Sequence, residues 1–226
     1  MLSMLREGES PQLAATIIIY LIVLLTALPV HEAAHGWAAY RMGDPTAKNA
    51  GRLTLNPVKH LDPFGVFLFL LTGFGFAKPV PVNPRYFKNP RAGMVLVSLA
   101  GPCSNLLLGW ISMVLYKLTV VLMRCMVVWN VWLVEMLETM VVLNVGLAVF
   151  NLLPIPPLDG SRLLLAALKG KAAYYLVKYE QWISLGLMAV ILLGWLDAPL
   201  GFLRSFVLSV MDLATRWIDA IWVLLK

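Results

Sequence analysis

Charge is what this chain has least of. Only 13% of its 226 residues are Asp, Glu, Lys or Arg, about half the roughly 25% of a soluble domain, while 60% are hydrophobic and the mean hydropathy is +0.80. That balance excludes an ordinary water-soluble fold and points to a multi-pass membrane protein whose first partner is the lipid bilayer. Cysteine is equally scarce. Cys103 and Cys125 both stand in apolar sequence, which gives neither a disulfide framework nor a zinc-binding spacing, and they are expected as buried, unpaired thiols. A net charge of +6 in a soluble chain suggests nucleic acid, but here the basic residues gather in particular loops and read as topology, so no nucleic-acid partner is expected. The chain shows no repeat, no low-complexity linker and no cleavage pattern after residues 1–11, so it is expected as a single domain, 1–226, whose first helix stays attached.

Histidine is the next rarity, and two of the three fall in His31-Glu32-Ala33-Ala34-His35. Residues four apart lie one helical turn apart on the same face, so both imidazoles can point at one ion while the carboxylate between them reaches a water held there. Residues 13–28 before this motif carry no charge. Ionisable groups at membrane depth are expensive and usually functional. The bland reading is a helix entering the headgroups with its His and Glu merely solvated.

Taken in order, the chain predicts a first membrane helix over 11–40, which places His31 about 28 Å beyond Gln12, toward the far leaflet. Residues 41–91 hold eight Lys or Arg against Asp44 and Asp62, so this face is expected to be cytoplasmic, with the N-terminus outside. Within it, 65–76 is apolar but too short to span and is expected to be re-entrant or interfacial. Residues 76–82, with Pro79 and Pro81, are expected as an extended edge segment, either a docking strand for a substrate backbone or an ordinary surface loop. A second span is predicted over 92–116, an outer connection over 117–130, a third span over 131–153 and a fourth over 182–196. The remainder reads as an interfacial amphipathic helix. The fold class is therefore an all-α polytopic membrane protein of about four transmembrane helices, with a short membrane-associated β or re-entrant segment and a C-terminal amphipathic helix.

Catalytic zinc typically takes three protein ligands and keeps a position for water. His31 and His35 supply two, and the third candidates are Asp159, His60, Asp62, Glu135 and Glu138. Topology puts the two glutamates on the wrong side. Asp159, in the turn after the third span, is preferred, its alternative being an N-cap on the next helix. His60 and Asp62 lie in a cytoplasmic turn where solvation is the commoner role. Glu32 is expected to act as general base. Asn151 and Asn105 are candidate donors to the oxyanion or the substrate backbone, with simple helix-to-helix bonding as the alternative.

The combination of His31-Glu32-Ala33-Ala34-His35, Ala100-Gly101-Pro102-Cys103-Ser104-Asn105 and the stretch Asn151 to Gly160 resembles the site-2 protease family of intramembrane zinc metalloproteases, in its compact form without a PDZ or CBS domain. The resemblance covers nearly the whole chain. It implies a three-helix catalytic core, one Zn2+ per chain held by His31, His35 and Asp159, and Glu32 as the catalytic carboxylate. It also implies hydrolysis, near the cytoplasmic face of the cell membrane, of transmembrane segments already cut once by another protease. A zinc transporter or metal-stabilised scaffold would use the same histidines without needing Glu32. A prenyl-protein-processing protease would need a downstream E-x-x-x-D pattern, which neither Glu135 nor Glu138 begins.

Overall fold

The computed structural model describes residues 10–63, 65, 77–126 and 130–224. Among these, secondary structure is helical apart from one isolated antiparallel bridge between Leu61 and Ala77. In chain order the α-helices are α1 (Ser10–Arg41), α2 (Thr46–Asn49), α3 (Pro90–Met126), α4 (Val131–Asn151), α5 (Gly160–Ala167), α6 (Lys171–Lys178), α7 (Glu180–Leu192) and α8 (Asp197–Leu224), with short 3-10 turns at Pro57–Lys59 and Pro84–Tyr86. The expected re-entrant stretch lies outside the described residues.

Four helices are long and apolar enough to cross a membrane, over Ile17–Arg41, Pro90–Met123, Val131–Asn151 and Asp197–Ile221. This is a multi-pass membrane architecture of the expected kind, with the fourth long helix in a different place. Of the stretch expected to span, 182–196, only 182–192 is helical, within the 13-residue α7, too short at about 1.5 Å per residue to cross a core about 30 Å thick. Its end is set by Gly194, whose φ of +71° is the left-handed conformation that glycine adopts without strain. Gly194 N–H bonds the Ile191 carbonyl and Trp195 N–H the Val190 carbonyl, the paired bonds of a Schellman motif. The chain then turns into α8, which is amphipathic as expected and also long enough to span.

α3 packs along both α1 and α4, and α8 closes against α3 and α4. One apolar core joins Met113, Val141, Val145, Val149 and Met211 across α3, α4 and α8. A second joins Ala39, Phe87 and Val97, where the end of α1 meets the start of α3. α1 runs through Pro29 and α3 through Pro102, and both prolines are fully buried. Cys103 is unpaired as expected, but exposed on the surface of α3 rather than buried.

Two buried polar side chains organise the loops beside the end of α1. Asp44 accepts N–H bonds from Thr46 at 2.9 Å and Asn83 at 2.7 Å. Burial pushes its carboxyl upward, but the Thr46 hydroxyl and these two amides outweigh burial and hold it below the usual range. Arg52 donates to the carbonyls of Lys59, Lys78 and Pro79, tying the turn around His60 to the extended segment.

Candidate metal centre

The site begins with helix geometry. His31 and His35, one turn apart on α1, bring their Nε2 atoms to 3.0 Å, and both rings are buried. The facing wall is α3 at Gly101, where a methyl group would stand 2.3 Å from His35 Nε2 and 2.6 Å from His31 Cε1. Only hydrogen fits there.

Asp159 arrives from the turn between α4 and α5. Gly160 lets that turn close on the end of α4, since a Cβ there would lie 2.3 Å from the carbonyl oxygens of Leu152 and Leu153. Asp159 stands at the N-cap position of α5 but its side chain makes no cap bond. Its Oδ2 instead lies 3.2 Å from each histidine Nε2 and is sealed from solvent.

The outer ring nitrogens fix what the inner ones can do. His35 Nδ1 lies 2.7 Å from the Val97 carbonyl, which only accepts, so Nδ1 carries the proton and the neutral ring presents a lone pair at Nε2. His31 Nδ1 lies 2.8 Å from Asn105 Oδ1 and is set the same way. Two imidazole lone pairs and a carboxylate oxygen thus converge on one small volume. Three acceptors at such distances repel unless a cation or a proton stands between them. The donor set fits a divalent metal with imidazole and carboxylate preference, and the outer bonds to oxygen are the usual support of such ligands. Among the described residues this is the one group of three or more His, Cys, Asp or Glu placed to hold a metal ion.

Glu32, between the histidines, is half-buried, and its Oε2 accepts the Val80 N–H at 3.0 Å. The extended segment therefore passes directly beside the motif. Lys78 N–H bonds the His60 carbonyl, Asn83 N–H bonds Asp44, and positions 79 and 81 are prolines without an N–H. Few donors remain for a strand arriving from outside.

The other candidates supply no atom to this group. The Asn151 amide donates back to the Leu147 carbonyl of its own helix at 3.0 Å. Asn105 has both ends of its amide engaged, on His31 and on Asn144. His60 is fully buried and bonds the Thr54 carbonyl through Nε2, while Asp62 accepts the Gly65 N–H. Glu138 lines a cavity with Tyr116, Asp212 and Arg216. Tyr116 lies about 16 Å along α3 from Asn105. Sequence reasoning passed over Asn144, Arg52 and Asp44. A buried amide in an apolar run is a readable signal for the first, whereas the other two looked like loop charges.

Comparison with known proteins places the chain in a family. The profile of peptidase family M50 matches residues 19–194. The chain belongs to that family, the site-2 protease type that its three motifs resemble. It is 50% identical over 147 residues to the "Putative zinc metalloprotease YwhC" of Bacillus subtilis, covering 64% of this chain and 67% of that protein. It is also 31% identical over 203 residues to the "Putative zinc metalloprotease Rip2" of Mycolicibacterium smegmatis, covering 85% of this chain and 67% of that one. No solved structure matches the chain.

Proposed function

We propose that this protein is a zinc-dependent endopeptidase that hydrolyses peptide bonds in or near transmembrane segments of other membrane proteins. The observation that carries the reading is the convergence of His31 Nε2, His35 Nε2 and Asp159 Oδ2 within a bundle of apolar helices. One Zn2+ per chain would be held by these three atoms. When bound, it supplies Lewis-acid activation of water and of the scissile carbonyl. Glu32, on the same turn as both histidines, takes the proton from the attacking water and delivers it to the leaving amine. The Val80 N–H holds one oxygen of that carboxylate and leaves the other for the reaction. The segment 77–83 then acts as a fixed wall beside the site, since most of its amides are already bonded within the chain.

The basic loops on either side of the site support a cytoplasmic placement at the cell membrane, with the N-terminus outside. The substrate in this reading is a transmembrane protein already shortened by another protease, so that its helix end can enter.

The test is zinc content beside cleavage of a model transmembrane substrate in detergent, for wild type, Glu32→Gln and Asp159→Ala. The expected result is zinc near one per chain, cleavage abolished but zinc retained in Glu32→Gln, and zinc weakened in Asp159→Ala. Glu32→Gln cleaving at the wild-type rate would sink the mechanism. Zinc bound, no cleavage by wild type, and Glu32→Gln indistinguishable from wild type in a cell-based assay of function would instead leave the transporter or scaffold reading.

A further inference from the structure

α4 supplies no atom to the His31, His35 and Asp159 group, yet one of its side chains is linked to it. Asn144 and Asn105 are both fully buried, and an amide there without partners is destabilising. The Met140 carbonyl only accepts, so the Asn144 atom 2.8 Å from it is the nitrogen, and Asn144 Oδ1 faces Asn105. Asn105 must therefore donate Nδ2 to that oxygen, at 3.2 Å, and turn Oδ1 toward His31 Nδ1. An oxygen at that place requires the proton on Nδ1. The lone pair of the neutral ring is then on Nε2, the atom facing His35 and Asp159. His35 needs no such device, because a backbone carbonyl does the same for it directly.

We propose that Asn144 is a positioning residue for the metal centre: through Asn105 it fixes the tautomer of His31 and so the readiness of Nε2 to bind a cation. This rests on the zinc reading above, but its first readout needs no metal. The chain has three histidines. The 15N resonances of metal-free, histidine-labelled protein in lipid should show two rings protonated at Nδ1, His31 and His35, and one at Nε2, His60, which faces the Thr54 carbonyl. Wild-type His31 without a proton on Nδ1 would overturn the proposal without any variant.

Asn144→Leu frees Asn105 to turn its NH2 toward His31. The expected result is a second ring without a proton on Nδ1 and zinc affinity lower by about tenfold or more, measured by competition with a chromophoric chelator. Adding Asn105→Asp should restore both, because a carboxylate has no donor to turn inward. A residue that merely filled space would predict the reverse, since the double variant buries a charge in a weakened core. Zinc affinity in Asn144→Leu within twofold of wild type, or no recovery in the double variant, overturns the proposal. Wild type that binds no zinc overturns the proposed function, and the tautomer measurement still judges the asparagine link.

Discussion

At the scale of single residues, the centre depends on one missing side chain as much as on the ligands. Gly101→Ala places a methyl group against both imidazoles, and each ring can retreat only by breaking its bond at Nδ1. Zinc affinity should fall at least about tenfold while the helix itself, which prefers alanine, is not weakened. Chelator competition beside helical circular dichroism separates the two effects. Asp44 offers a pH test away from the metal. Its carboxyl is held below the ordinary value, so the stability it adds is fully present above that value and is lost as pH falls through its lower, folded one. Thermal unfolding between pH 7 and pH 3 should show Asp44→Asn less stable at neutral pH and with a shallower acid decline. Much of the residue scale was legible beforehand. Two histidines and a glutamate in uncharged sequence have few innocent explanations, and Asp159 follows a proline-rich helix end at matching depth. Asn144 was not legible, because an amide's role depends on which helix faces it, and that is a tertiary fact.

At the scale of elements, the segment 77–83 changes meaning once its partners are known. Its two prolines announce extended backbone, but sequence does not say whose hydrogen bonds it makes. Arg52 answers that, since a charge that looked like topology is in fact 6% exposed and clamps three carbonyls. Arg52→Met leaves those carbonyls short of a charged donor, at a cost of about 1.5–3 kcal/mol for such bonds, and loosens the wall that carries Val80. Zinc content should stay near wild type while kcat falls more than KM changes. A parallel loss of zinc would place the clamp's role in folding instead. The ends of α7 show a different limit. Hydrophobic runs mark out apolar helices well, but a glycine inside such a run reads as tolerated until its φ is known. Gly194 therefore divided a stretch that composition alone joined.

At the scale of the whole molecule, α8 is fastened to the bundle by charge as well as by apolar packing. Lys117 Nζ lies 2.8 Å from Asp212 and 2.6 Å from Asp219, with its own side chain 10% exposed. Because both carboxylates are about half exposed, the pairs are worth on the order of 1 kcal/mol at most. Lys117→Met should lower thermal stability slightly and leave zinc affinity unchanged, a separation that unfolding and metal titration together would check. The chain of amides from Met140 to His31 has a wider consequence. It crosses three helices with bonds of 2.8 to 3.2 Å, while sliding any one helix by a single residue moves it about 1.5 Å. The depth at which each segment sits in the bilayer is therefore keyed to a common level, and uptake of the ion becomes a gauge of whether the three have met in register.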